Sequence, residues 1–372
     1  MNPDRRYMAQ ALRLAAQAAG RTRPNPLVGC VIVKDEVILG RGWHPCAGAP
    51  HAEVFALREA GEQARGACVY VNLEPCTYYG RTPPCADALI QAGVARVVIA
   101  MIDPNPRVAG QGVARLRAAG IEVVTGVRET EALELNRPFI TWIERERPLI
   151  TLKLAATLDG KTATSTGESQ WITGPVARHR VQRMRDIHDV VMVGIGTVLA
   201  DDPSLNCRLK GGRDPVRLVV DSRLRIPDQA KVFTSSASAP LWIATGQNAS
   251  FARAEALGSR DNVRVIPCTQ TPDGRVNLID LMLRLGDMDV TSVLCEAGGG
   301  LSGALLKAGL ADRLALFLAP KLIGSHDARG LLDLAGVTSL ADAWRLLNTR
   351  VSSVGEDLLI EGDFAVTRCL LD

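Results

Sequence analysis

Three side chains, His51, Cys76 and Cys85, constrain this chain more than any other feature of its sequence. One imidazole and two thiolates supply three ligands to a tetrahedral Zn²⁺ and leave a fourth position open. To act together, a His51-Ala52-Glu53 segment, a Pro75-Cys76 segment and a Pro83-Pro84-Cys85 segment must converge on one point. That demands a fold in which strand ends and helix starts cluster. Eight residues, Thr77 to Pro84, separate the cysteines, where a zinc deaminase signature has two. Tyr78-Tyr79-Gly80-Arg81-Thr82-Pro83-Pro84 reads as a turn-rich insertion, with Gly and Pro as breakers. It returns Cys85 to the metal and carries Arg81 toward a substrate.

The chemistry explains the residue types. Zn²⁺ lowers the pKa of bound water to about 7. Glu53, two residues past His51, stays outside the ligand set and is free to move protons. This layout is that of a hydrolytic deaminase acting on the amidine carbon of a heterocycle. The competing reading is a pair of buried, unligated cysteines. Cys46, five residues before His51, is a rival ligand. A disulfide is disfavoured, since nine cysteines is an odd number and the others show no paired spacing.

The 372 residues suggest two domains, and a hydrophobic content of 47% permits sizeable cores. Net charge is +3 with both signs scattered and no basic block, which disfavours nucleic acid as a partner. No apolar run reaches membrane-spanning length, and the first residues lack a signal peptide's apolar core. With unpaired cysteines, a cytoplasmic protein with no membrane partner is the expectation.

Periodicity predicts a helix over 8–19, a hairpin from Val28–Val33 and Glu36–Leu39 through Lys34-Asp35, and a helix over 52–61 carrying Glu53. A strand over 67–73 delivers Cys76, and a helix over 85–93 begins at Cys85. Strands over 96–101 and 121–125 flank a helix over 112–120. The charged run Glu144-Arg145-Glu146-Arg147-Pro148 marks a domain boundary, giving domains 1–146 and 147–372. A second alternating series follows: a strand over 148–155, a helix over 175–187 with Thr173 as its cap, then strands over 190–193, 216–220, 241–244, 263–266, 292–295 and 314–318. Alternation of this kind implies layered α/β domains.

In the second half, Ala297-Gly298-Gly299-Gly300-Leu301-Ser302-Gly303 follows a strand and precedes a helix over 304–308. Glycines let a backbone approach a phosphate, and a helix start offers free N–H groups. Gly298, Gly300 and Gly303 formally match G-x-G-x-x-G, but no acidic residue completes a dinucleotide fingerprint. Gly194-Ile195-Gly196 makes a second glycine turn, and the two together suggest a nucleotide cofactor. Each alone is as often a plain tight turn. Lys153, Arg185 and Arg208 are candidates to meet phosphate or developing charge, or are solvated surface cations. Trp171 stacks on a flat ring or packs in a core. Asp201-Asp202-Pro203 reads as a turn cap.

Taken together, these motifs resemble the bifunctional riboflavin-biosynthesis deaminase–reductases of the RibD type. The resemblance is carried by Asn25-Pro26-Leu27-Val28-Gly29, Gly42-Trp43-His44, His51-Ala52-Glu53, the two Pro-Cys segments and Asp103-Pro104-Asn105-Pro106. In the second half it rests on Leu152-Lys153-Leu154-Ala155, Leu158-Asp159-Gly160, Ser169-Gln170-Trp171-Ile172-Thr173-Gly174, Gly196-Thr197 with Asp201-Asp202-Pro203, and Glu296-Ala297-Gly298. It implies a cytidine-deaminase-like α/β/α domain followed by a dihydrofolate-reductase-like domain built on a mostly parallel sheet. It also implies zinc-dependent deamination of 2,5-diamino-6-(5-phosphoribosylamino)pyrimidin-4-one, then NADPH-dependent reduction of the ribosyl group to ribityl, in a homo-oligomer. Carried over by motif, His51, Cys76 and Cys85 bind zinc and Glu53 shuttles protons. Ala155, Trp171, Thr197, Asp201, Ser222 and the loop Gly298, Gly299, Gly300, Leu301, Ser302, Gly303 and Ala304 line the NADPH site. Ser169, Arg185, Leu205, Arg208, Glu296 and Lys153 contact substrate in the reductase, as do Asn25 and Arg81 in the deaminase. The family often has a histidine in the loop after Cys76, where this chain has Tyr78 and Tyr79.

Two rival readings remain at this stage. One is a nucleoside or tRNA deaminase fused to an unrelated NADPH reductase. The other is a non-enzymatic module with structural zinc, which would need a fourth protein ligand.

Overall fold

Cys68-Val69-Tyr70-Val71-Asn72-Leu73 is buried along nearly its whole length, as befits a strand covered on both faces. It forms the centre of the first of two sheets. The computed structural model describes residues 2–78, 84–106, 108–234, 239–334 and 337–365. The chain folds as two compact units, Met1–Glu146 and Arg147–Asp372.

The first unit runs α1 (Pro3–Ala16), β1 (Gly29–Lys34), β2 (Val37–Trp43), α2 (Ala52–Ala60), β3 (Cys68–Leu73), α3 (Cys85–Ala92), β4 (Arg96–Met101), α4 (Gln111–Ala118), β5 (Glu122–Thr125), α5 (Glu129–Leu135) and α6 (Arg137–Arg145). Its sheet order is β2-β1-β3-β4-β5, antiparallel across β1 and parallel from β3 to β5. Alternate residues split between two cores. Ile32, Val69, Val71, Val97 and Ile99 meet α2, α3 and α4, while Val31, Val33, Tyr70 and Val98 meet α1 and α5. The β1–β2 turn is Asp35-Glu36, not the expected Lys34-Asp35. Both residues have positive φ (50° and 63°), and Lys34 pairs with Val37, as in a two-residue hairpin. Strand β2 also continues past Leu39 to Trp43. Its Gly40 and Gly42 break the apolar pattern because α2 lies directly on them. A Cβ there would fall 2.1 Å from the carbonyl oxygens of Ala56 and Ala52 respectively.

The second unit runs β6 (Leu149–Thr157), α7 (Pro175–Ile187), β7 (Val190–Gly194), α8 (Ile195–Asp201), β8 (Val216–Val220), α9 (Lys231–Thr234), β9 (Leu241–Gly246), α10 (Phe251–Gly258), β10 (Val263–Cys268), α11 (Leu278–Asp287), β11 (Ser292–Cys295), α12 (Gly299–Lys307), β12 (Arg313–Ala319), β13 (Leu346–Val354) and β14 (Asp357–Phe364). The sheet order is β10-β9-β8-β7-β11-β6-β12-β14-β13, parallel from β10 to β12, with antiparallel β14 and β13 completing it. The sheet is mostly parallel and covered on both faces. Val190 and Met192 enter one core; Val191 and Val193 enter the other.

Three local expectations change. The glycine segment after β11 is helical from Gly299, so only Gly298 belongs to the preceding turn. The cap of α7 is Gly174, not Thr173, and its N–H donates to Asp357 Oδ2 at 2.8 Å. Strands β13 and β14 had no clear signal, because β13 is exposed almost throughout and carries Asn348, Thr349, Arg350, Ser352 and Ser353.

Candidate active sites

His51 is the N-cap of α2, with extended backbone (φ −74°, ψ 164°), so its ring stands at the helix mouth. Glu53 follows in the first turn and faces inward. Cys76 lies just beyond β3, and Cys85 is the first residue of α3. His51 Nδ1 sits 3.2 Å from Cys85 Sγ and 3.6 Å from Cys76 Sγ, and the Cys85 backbone N–H donates to Cys76 Sγ at 3.3 Å. All three ligand atoms lie within 4.8 Å of one another. Tetrahedral zinc with ordinary bond lengths places such donors about 3.5–3.8 Å apart. The donor set therefore fits the ion with a small outward movement. Among the described residues no fourth His, Cys, Asp or Glu joins this group, and Cys46 is exposed and outside it.

Glu53 is only 3% exposed, and its Oε2 has no hydrogen-bond partner among the described residues. Buried unpaired carboxylate oxygens are rare unless something else occupies their side. Burial, reinforced by the Cys76 charge, raises its pKa to about 7. Negative charge settles on Cys76, which is pushed down to about 4 chiefly by the hydrogen bond from Cys85. Cys85, as donor of that bond, is raised. The Cys76 contact also raises His51.

Asn25 acts one layer back. Its Nδ2 donates to His44 Nε2 at 3.0 Å, which leaves Nδ1–H of His44 to donate to the Pro50 carbonyl at 3.1 Å. The His44 ring lies edge-on to His51, with centroids 5.6 Å apart. His44 is thus a neighbour of the metal ligand to which no role was assigned from sequence. Arg81 and Tyr79 lie outside the described residues; Tyr78 is exposed.

The second unit contains a cleft of about 1430 Å³ at the C-terminal ends of its parallel strands. That is where open α/β sheets bind ligands. A single drug-sized ligand needs about 300–1,000 Å³, so the cleft has room for a dinucleotide and a second molecule. Lys153 and Ala155 reach it from β6, Ser169 and Trp171 from the segment before α7, and Arg185 from α7 itself. Thr197 and Asp201 come from α8, Leu205 and Arg208 from the loop after it, Ser222 from the end of β8 and Glu296 from the end of β11. Gly298, Gly299, Gly300, Leu301 and Ala304 line it from the start of α12. Ser302 and Gly303 do not. Ser302 is fully buried with its Oγ on the Ala297 carbonyl, and a Cβ on Gly303 would meet Asp333 O at 2.6 Å. Helical periodicity from Gly299 turns both away from the cleft.

Arg185 and Glu296 form a buried two-pronged ion pair, and Arg185 Nη1 also donates to Asn206 O at 2.9 Å. Burial tends to raise Glu296, but Arg185 and then Lys153 outweigh it and hold the carboxyl below its usual range. Burial lowers Lys153. Trp171 is 58% exposed, with the Arg178 guanidinium 4.6 Å from its ring centre. Arg223, Arg225 and Arg275 also line the cleft, and no role was assigned to them from sequence. The available signal was Ser222-Arg223-Leu224-Arg225-Ile226 at a strand end, where the apolar residues go inward and the arginines are exposed.

Residues 1–101 match the family model for the cytidine and deoxycytidylate deaminase zinc-binding region, and 148–360 match that for the RibD C-terminal domain. The chain is 46% identical to the riboflavin biosynthesis protein RibD of Escherichia coli, over 96% of this chain and 98% of that one. It is 44% identical to the Aquifex aeolicus protein of the same name, over 96% and 97%. The chain belongs to the RibD family. Solved structures agree. Acinetobacter baumannii RibD superposes with a TM-score of 0.85 at 41% identity, covering 97% of this chain and 99% of that one. A Thermotoga maritima protein, named a diaminohydroxyphosphoribosylaminopyrimidine deaminase/5-amino-6-(5-phosphoribosylamino)uracil reductase, does so with a TM-score of 0.83 at 35% identity, over 97% and 99%. This RibD-family chain is a bifunctional deaminase and reductase of riboflavin biosynthesis. Its first half is a zinc-binding deaminase region, and its second half is a reductase drawing on a pyridine nucleotide. Similarity to RibD across both halves disfavours a fusion of a nucleoside or tRNA deaminase to an unrelated reductase.

Proposed function

We propose that residues 1–146 deaminate 2,5-diamino-6-(5-phosphoribosylamino)pyrimidin-4-one and that residues 147–372 reduce the product's ribosyl group to ribityl with NADPH, in the cytoplasm and as a homo-oligomer. The Thermotoga maritima relative is named for both activities. The observation that carries the reading is the group of His51, Cys76 and Cys85 beside the buried Oε2 of Glu53, which has no partner among the described residues.

Zinc, when bound by His51 and the two cysteines, supplies an activated water at its open position. Glu53 performs the proton work. Its carboxylate accepts a proton from the attacking water and delivers it to the ring nitrogen beside the amino-bearing carbon; it then takes the remaining proton of the newly added hydroxyl and passes it to the departing amine as the carbonyl forms. One water is consumed and one ammonia released. His44, held by Asn25 and Pro50, keeps the His51 ring in place.

In the reductase, bound NADPH would supply a hydride for the sugar carbon of the open-chain, imine-like substrate, whose nitrogen takes up a proton. The chain's own residues position the two partners. Arg208 is exposed at the cleft, with its backbone N–H fixed by Gln182 Oε1 at 2.9 Å, and suits the substrate phosphate. Lys153 and the Arg185–Glu296 pair, which line the cleft, face the sugar. Arg223 and Arg225 support NADPH over NADH, since arginines at this end of a dinucleotide site accommodate a ribose 2′-phosphate.

The test supplies the diamine and NADPH and follows ammonia and NADPH together. Both should change, ammonia first. Cys76→Ser should abolish ammonia release while sparing reduction of pre-deaminated substrate. Loss of both activities would contradict separate sites.

A further inference from the structure

Glu74, immediately before the Pro75-Cys76 pair, belongs to no ligand set and is only 5% exposed. Its carboxylate accepts three backbone hydrogen bonds. Oε2 takes the N–H groups of Asp103 at 3.2 Å and Gly110 at 2.9 Å, and Oε1 takes that of Val113 at 3.1 Å. Gly110 is the N-cap of α4, and glycine has no side chain to cap with. Glu74 therefore supplies from just beyond β3 the acceptor that an Asp or Ser at the cap would normally provide, and its charge faces the positive end of the helix. The same helix start also presses on the turn through Gly112. Pro75 O lies 2.2 Å from where a Cβ on Gly112 would sit, so α4 and the turn touch backbone to backbone. Cys76 itself is gripped by α3, through Ala86 N–H to its carbonyl at 3.1 Å and Cys85 N–H to its Sγ at 3.3 Å.

We infer that Glu74 is a positioning residue for the zinc site: by capping α4 it clamps the Glu74-Pro75-Cys76 turn so that Cys76 Sγ faces His51 and Cys85. The turn leaves a strand and must hold one thiolate against two ligands borne on helices. Without the clamp, Cys76 would be tied only to α3 and would move with it. Glutamine cannot replace glutamate here. It has a single acceptor oxygen for three N–H groups, and its own NH₂ would point at donors. This inference rests on zinc binding by the three ligands.

The test uses the full chain and the variant Glu74→Gln. Zinc release to a chromogenic chelator is timed, the visible spectrum of the Co²⁺-substituted protein is recorded, and reduction of pre-deaminated substrate serves as the folding control. Zinc release is expected to accelerate about 10–100-fold, the range for groups that orient metal ligands. The thiolate–cobalt bands should shift, and reductase activity should stay within about two-fold of wild type, the separate unit being untouched. Glu74→Asp, which keeps both oxygens, should restore part of the retention. A core variant of the same helix, Leu116→Ala, matched in melting temperature, should leave the cobalt spectrum unchanged. If Glu74→Gln does not fold, Gly112→Ala, whose Cβ would press on Pro75 O and on the Glu74 side chain, displaces the same turn and should show the same lability. Wild-type zinc release and cobalt bands in Glu74→Gln, or in Gly112→Ala where that variant is used, would overturn the inference. Zinc absent from the wild-type protein would instead overturn the reading of the site itself.

Discussion

Arg185 and Glu296 meet through two parallel hydrogen bonds in the reductase cleft, Nε to Oε1 at 2.6 Å and Nη2 to Oε2 at 3.0 Å, with side chains only 11% and 9% exposed. The pair joins α7 to the end of β11, two elements whose residues otherwise approach the cleft independently. Removing one member leaves an uncompensated buried charge, at a cost of about 3–5 kcal/mol. Glu296→Ala should therefore lower the melting temperature and abolish NADPH oxidation on pre-deaminated substrate, while ammonia release from the diamine at a temperature below melting persists. Calorimetry with the two activity assays checks it.

The same carboxylate predicts an acid limit. Its folded pKa lies below the ordinary 4.5, because Arg185 and Lys153 outweigh the effect of burial. A depressed folded pKa contributes stability that is fully present above about pH 4.5 and is lost as pH falls through the folded value. The stability difference between wild type and Glu296→Gln should be constant from pH 7 down to about 4.5 and shrink below it. Denaturant titrations at several pH values measure the difference, and a gap that widens on acidification would contradict the assignment.

How much of this was legible follows from where each constraint resides. His51, Glu53, Cys76 and Cys85 were readable because zinc chemistry demands those residue types in that order, whatever the fold. The parallel sheets were readable from short apolar runs such as Val190-Val191-Met192-Val193, which is buried on both faces. The start of α12 was not, since glycine at three of its first positions hides a helix that packs closely against residues 332–334. That is why Ser302 and Gly303 were assigned to a loop facing the cofactor. Strand β13 was hidden by its polar, exposed sequence. His44 and Glu74 act through hydrogen bonds to residues distant in sequence, and no local pattern encodes such bonds.

Arg223 and Arg225 give a cofactor-specificity prediction. The turn that presents them is rigid: Asp221 Oδ2 accepts the Ile226 N–H at 2.8 Å, and Leu224 and Ile226 are buried on either side of Arg225. Both arginines are exposed at the cleft, so alanine should cost little stability. A hydrogen bond to a charged group contributes about 1.5–3 kcal/mol, so Arg223→Ala with Arg225→Ala should raise the KM for NADPH about ten-fold or more. The KM for NADH should scarcely move. Steady-state kinetics with both nucleotides decides it, and an equal rise for the two would show that neither arginine reads the 2′-phosphate.

Glu53→Gln separates proton transfer from metal binding. The amide is nearly the same size and cannot take a proton from water. Ammonia release should fall about 10²–10⁴-fold, the contribution of a positioned general acid–base. Zinc content should remain at one per chain, because the proposed ligands are His51, Cys76 and Cys85 and not Glu53. Metal analysis alongside the ammonia assay tests both halves of that statement. A variant that loses its zinc would make Glu53 a structural member of the site.

Gly42 ties the fold of the first unit to its chemistry. It lies in β2 beneath the first turn of α2, and a Cβ there would fall 2.1 Å from Ala52 O and 2.7 Å from Ala56 N. Those neighbours are backbone and cannot rotate away, so the helix must shift outward. Its first turn carries Glu53, and His51 caps it, so both would move together relative to Cys76. Gly42→Ala should destabilise the first unit by about 1–3 kcal/mol through overpacking. It should also reduce ammonia release well beyond the fraction of protein unfolded, because an angstrom of misplacement costs about 10²-fold in rate. Reduction of pre-deaminated substrate should continue at the wild-type rate. Thermal unfolding with both assays distinguishes this from simple loss of fold, which would lower ammonia release only in proportion to the folded fraction.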